Sequence, residues 1–188
     1  MSREVTDKSN SRFKTLDLVY CSIGAALIAI CSWISIPTAV PFTLQTFAVF
    51  LVLLLLGGKR GTIATLIYVL LGAVGAPVFA GFGAGAGVLL GSTGGYIMGF
   101  LFIGLIYILF ELVSKNNIAV KMAALVLGLI VCYAFGTAWF MHVSTKNTGE
   151  VGLLTVLGWC VFPFIVPDLV KMALAAVIAK RIEPVIKK

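Results

Sequence analysis

Asp168 and Lys171 stand three positions apart in the run 163–176, whose remaining residues are all apolar or proline. On a helix that spacing puts both side chains on one face. There a carboxylate and an ammonium can neutralise each other or grip a polar molecule placed between them. A charge at the centre of a membrane helix costs roughly 2.5–3.5 kcal/mol on insertion scales, so its presence there asks for a task. Two tasks fit the pair: a brace that pins two helices, or a clamp on a ligand.

A second stretch could help to hold a ligand. Residues 72–95 contain nine glycines and no charge. So many glycines disfavour one regular helix, expose backbone N–H and C=O groups, and permit a loop that opens and closes. Gly83 and Gly85 are expected in such a lid, whereas Gly72 and Gly75 are read as points of close helix approach. Phe79, Phe82, Tyr96 and Trp159 could wall the site.

Other motifs fall away on mechanism. The run Gly81-Phe82-Gly83-Ala84-Gly85-Ala86 has the outline of a dinucleotide fingerprint, but no acidic residue occurs between Asp17 and Glu111 to meet a ribose. The run 57–61 lacks the spacing and Ser/Thr of a phosphate-binding loop. The four cysteines, Cys21, Cys31, Cys132 and Cys160, lack metal-ligand spacing and read as packing residues. His142, the single histidine, is expected at the membrane interface. No nucleophile stands with a base, so neither an enzyme nor a bound cofactor or metal is expected.

The elements that must position the pair follow from composition. With 61% hydrophobic and 11% charged residues, where soluble domains have roughly a quarter charged, the chain reads as an all-helical integral membrane protein. Its 188 residues suffice for about six crossings and no soluble domain. The apolar runs are 18–36, 42–57, 62–80, 95–113, 119–141 and 151–182. The last is too long for one straight crossing and is expected to break or bend near Pro163 and Pro167, leaving 151–162 as a leading piece and 164–182 as the final helix. Residues 1–17 form a polar segment, 18–182 a membrane domain, and 183–188 a basic tail.

Net charge is +7, but topology explains it without nucleic acid. Arg3, Lys8, Arg12 and Lys14, then Lys59 and Arg60, then Lys115 and Lys121, then Lys180, Arg181, Lys187 and Lys188 share one side of a six-span chain, with Lys146 alone opposite. Basic loops stay in the cytoplasm, so both termini are expected there, in a multi-pass protein of the cell membrane. The first apolar run is too long for a signal-peptide core, and no cleavage is expected.

Four motifs in order, Val40-Pro41-Phe42-Thr43-Leu44-Gln45-Thr46-Phe47, Gly75-Ala76-Pro77-Val78-Phe79-Ala80-Gly81, Gly91-Ser92-Thr93-Gly94-Gly95-Tyr96 and Pro167-Asp168-Leu169-Val170-Lys171, resemble BioY. BioY proteins are the biotin-specific substrate-binding components of energy-coupling factor vitamin transporters, and the resemblance runs from about residue 18 to 182. It implies a six-helix protein that captures biotin from outside and docks on a module of a transmembrane coupling protein and two ATPases. Solitary members of the family are reported to work without that module. Asp168 would accept ureido N–H bonds and Lys171 would donate to the ureido oxygen, although a fully extended Lys171 reaching the carboxylate stays open. The tail would meet the glycine-rich loop and the hydroxyls of Ser92, Thr93 or Thr43. Gln45 serves either as a further ligand contact or as a helix–helix hydrogen bond. Ala25 and Ala29 resemble the small-residue docking feature of these components. The alternatives are a binding component for another vitamin, or a membrane structural protein with a braced pair and no ligand.

Overall fold

Long apolar runs form helices in lipid because a helix satisfies its own backbone donors and acceptors. The computed structural model describes residues 7–38, 40–114, 117–148 and 152–186. In order they form α1 (Asp7–Trp33), β1 (Ser35–Ile36), β2 (Phe42–Thr43), α2 (Gln45–Ala73), a 3-10 turn (Ala80–Phe82), α3 (Ala86–Leu90), α4 (Gly94–Val113), α5 (Ile118–Thr148), α6 (Leu153–Cys160) and α7 (Phe162–Ile186). Among the described residues five stretches are long and apolar enough to cross a membrane: Thr15–Trp33, Gln45–Ala73, Gly94–Val113, Ile118–Thr145 and Leu153–Pro184. Among the described residues a short antiparallel ribbon pairs Ser35 with Thr43 and Ile36 with Phe42. It turns the chain from α1 into α2.

Within α2 the chain doubles back. Gly57 has φ 81° and ψ 170°, a conformation essentially confined to glycine. A Cβ built on Gly61 would lie 2.9 Å from Leu53 Cα, whereas eight residues of straight helix span about 12 Å. Residues 45–56 and 58–73 are therefore two antiparallel limbs, and Gln45 Nε2 reaches across them to donate to Tyr68 Oη at 2.8 Å. The expected connection between apolar runs two and three is thus a single glycine rather than a loop. Gly58 N–H, at the start of the second limb, donates to Glu111 Oε2 at 2.8 Å and ties the hairpin tip to α4.

Close packing completes the bundle. Asp17 pairs with Arg60 at 2.6 Å, and at the opposite end of α1 Ser32 Oγ donates to the Val78 carbonyl and Trp33 Nε1 to that of Pro77. Along α4 and α5, Gly99 lies against Cys132 and Gly136 against the Tyr96 ring, so close that a Cβ would overlap. Small residues let membrane helices approach in this way. Gly72 and Gly75 do not have that role. A Cβ on Gly72 would run into the Phe79 ring, and Gly75, at φ 104° with open space around it, turns the chain out of α2.

The final stretch breaks earlier than the prolines suggest. The interruption is at Val161 (φ −126°, ψ −59°). Pro163 lies in the first turn of α7, where a missing N–H costs no hydrogen bond, and Pro167 is carried inside the helix. Asp168 and Lys171 therefore sit near the start of α7. Helix α1 also begins at Asp7, inside the segment read as polar, and α7 continues into the basic tail. Arg3, Lys115, Lys187 and Lys188 lie outside the described residues, as do the side chains of Lys8, Arg12, Lys14 and Lys146.

Candidate functional site

The starts of α2, α4 and α7, the middle of α5 and the segments before α2 and α3 enclose a cavity of about 110 Å³. Asp168 and Lys171 lie in its wall and are 2% and 6% exposed. The helix brings them together as their spacing demands: Lys171 Nζ stands 2.8 Å from Asp168 Oδ1. Burial of two charges is costly unless every donor and acceptor finds a partner. Here they do. Lys171 Nζ also donates to the Thr43 carbonyl at 2.7 Å and to Thr46 Oγ1 at 3.1 Å, so its three N–H groups have three acceptors. Its charge faces the Phe42 ring, 4.3 Å from the centroid. Thr46 Oγ1 donates to Asp168 Oδ1 at 2.8 Å and Tyr133 Oη to Oδ2 at 2.6 Å.

Counting sites gives the pair its chemistry. A carboxylate offers about four lone-pair positions, and three are taken by Lys171, Thr46 and Tyr133. Asp168 can accept one more N–H without loss. Lys171 can serve a ligand oxygen by exchanging one of its present acceptors. An arrangement of this kind suits a small neutral head that carries donor and acceptor side by side, followed by an apolar body against Phe79, Ile97, Phe100, Leu129 and Phe164.

The remaining expected residues divide. Thr43, Gln45, Phe79, Thr93 and Tyr96 line the cavity. Gln45 has the helix–helix role as well, through Tyr68, while the Thr43 hydroxyl accepts from Gln45 N–H at 3.2 Å. Tyr96 Oη lies 3.2 Å from Thr137 Oγ1. Gly83, Gly85 and Ser92 do not line it. The Gly83 carbonyl accepts from Phe79 N–H at 3.0 Å, and Gly85 N–H donates to the Gly72 carbonyl at 2.8 Å, so these glycines fold the connection that presents Phe79. Phe82 is exposed and stacks on Trp33 outside the cavity, with centroids 5.2 Å apart. Trp159 lines a separate surface hollow with Thr38, Gly158 and Pro163.

Sequence reasoning missed Thr46 and Tyr133. Thr46 directly follows Gln45 in the first turn of α2, a usable signal; Tyr133 is a lone polar tip in an apolar run and offers none. Cys132 and Cys160 also line the cavity. The alanines read as a docking face are a plain correction: Ala25 is 2% and Ala29 7% exposed, both inside the bundle against α2. Among the described side chains of α1, Ser22 and Ala26 are small and face outward.

A family profile described as the BioY family matches residues 5–188. The chain is 43% identical over 170 residues to the biotin transporter BioY of Thermotoga maritima, covering 88% of this chain and 95% of that one. It is 33% identical over 175 residues to biotin transporter BioY2 of Lactococcus lactis, with 89% of each covered. Its fold resembles the crystal structure of the S-component for biotin from an ECF-type ABC transporter, with a TM-score of 0.79, 30% identity, and coverage of 92% and 93%.

Proposed function

The chain belongs to the BioY family, and from that premise we propose that it is the biotin-binding specificity subunit of an ATP-driven vitamin importer. The observation that carries this reading is the buried, hydrogen-bonded Asp168–Lys171 pair, with one acceptor position left on Asp168, in the wall of a small, mostly apolar cavity. Biotin's ureido ring presents N–H donors beside a carbonyl acceptor, matching the free position on Asp168 and an exchangeable donor on Lys171. Its thiophane ring would lie against Phe79, Tyr96 and Phe164. The valerate tail would then point toward Thr93 and the connection 74–93, which Gly83, Gly85 and Ser92 shape. Radiolabelled biotin should bind the purified protein saturably at one site, with thiamine and riboflavin failing to compete. Absence of saturable binding would remove this reading, and competition by another vitamin would reassign the ligand.

Six crossings fit the helices if each limb of α2 counts as one. At 1.5 Å per residue the limbs span only about 18 and 24 Å of a roughly 30 Å core. The segments 34–44 and 74–93 complete them on one side, where the cavity lies. The opposite side holds the Gly57 turn with Lys59 and Arg60, and basic loops are retained in the cytoplasm. The cavity then faces outward. A cysteine at position 146, in a variant lacking the four native cysteines, should react with an impermeant thiol reagent on intact cells. Labelling at position 59 in its place would reverse the orientation.

The chain carries no phosphate-binding loop, so uphill uptake needs a partner that supplies ATP energy. We assign part of that contact to Ser22 and Ala26, outward-facing and one turn apart on α1.

A further inference from the structure

A larger hollow lies away from the ligand cavity, at the basic end of the bundle. It measures about 500 Å³ and runs between the start of α5 and the end of α7, floored by Leu54 of α2. The cause is the packing: α7 lies along α2 and α5 along α4, which leaves the inner ends of α5 and α7 facing each other across a gap. Its wall combines apolar Ile118, Ala176 and Val177 with the ammonium groups of Lys121 and Lys180. Among the described lining residues Glu183 is the one acid, a turn beyond Lys180.

Three features point to one occupant. Lys121 and Lys180 come from different helices to the same rim, and α5 begins there, so its N-terminal dipole adds to their field. Even with Glu183 the lining keeps a cationic excess. The volume is many times the roughly 30 Å³ share of one water, so it exceeds what an ion needs. Finally, Val170, Leu174 and Val177 are 53%, 52% and 54% exposed and recur at helical spacing, making an apolar stripe that leads along α7 to Lys180. We propose that this cleft binds one anionic phospholipid, its phosphate between Lys121 and Lys180 and an acyl chain along the α7 stripe. Basic pockets between membrane helices recognise acidic headgroups in this way.

The test uses purified full-length protein in neutral detergent, titrated with phosphatidylglycerol or phosphatidylcholine and read by native mass spectrometry. The wild type should retain one phosphatidylglycerol with about thirty-fold preference over phosphatidylcholine, the value expected from two lysines near a headgroup. In the double variant Lys121→Gln/Lys180→Gln the preference should fall to about two-fold or less, with biotin binding unchanged as proof of an intact fold. Equal retention of both lipids by the wild type would overturn the proposal, as would an unaltered preference in the variant. Competition by inorganic phosphate at equal concentration would make the site one for free anions. Unaltered lipid preference together with lost binding of an energising module would assign the cleft to a protein partner.

Discussion

Asp168→Asn should lower biotin affinity by about 2–5 kcal/mol, the cost of breaking a buried hydrogen-bonded charge pair. The carboxylate now accepts from Lys171, Thr46 and Tyr133. An amide keeps the shape but replaces one acceptor oxygen with an NH2 donor, which must face either Tyr133 or the Thr46–Lys171 side. It also leaves the Lys171 ammonium without its counter-charge in a wall that is almost fully buried. Lys171→Met, similar in length but uncharged, should weaken binding comparably, because Asp168 is then an anion held by two hydroxyls alone. Titration calorimetry on both variants, with thermal unfolding to confirm the fold, checks this. Unchanged affinity in two folded variants would reduce the pair to a brace between α2 and α7.

Ala26→Trp should abolish ATP-dependent biotin uptake in vesicles that contain an energising module, while leaving biotin binding to the isolated subunit within about two-fold of wild type. The side chain is exposed on the outer face of α1, so the indole fills space that a partner helix would need. Ala25→Trp gives the contrast. Ala25 is buried beside α2, and an indole there overpacks the core at a cost of typically 1–3 kcal/mol or more, lowering stability and binding together. Full uptake by the Ala26 variant would take this face of α1 out of the docking surface. Loss of biotin binding in that variant would connect α1 to the cavity instead.

The prolines show how a strong local signal can mislead by a few residues. Pro163 and Pro167 mark the right region, since each lacks the N–H that an interior hydrogen-bond ladder uses. Yet Pro163 is well placed in a first helical turn, so the chain breaks just before it, at Val161. Gly57 is the reverse case. Its place between two apolar runs signals a connection, but only the hairpin geometry reveals that one residue at positive φ accomplishes the reversal.

The sequence by itself determined the class of protein, the approximate spans, the basic side and the buried charge pair to which ligand binding is assigned here. These are legible because lipid penalises charge, and Asp168 and Lys171 stand out against an apolar run. Only the tertiary structure decided what surrounds them. Thr46 and Tyr133 reach Asp168 across 122 and 35 residues of sequence, and no spacing rule links helices so far apart. It alone also decided which face of each helix turns inward. A soluble helix marks that face with apolar residues, whereas in lipid the buried and exposed faces are both apolar. Ala25 and Ala26 therefore look alike in sequence, yet one is core and the other surface.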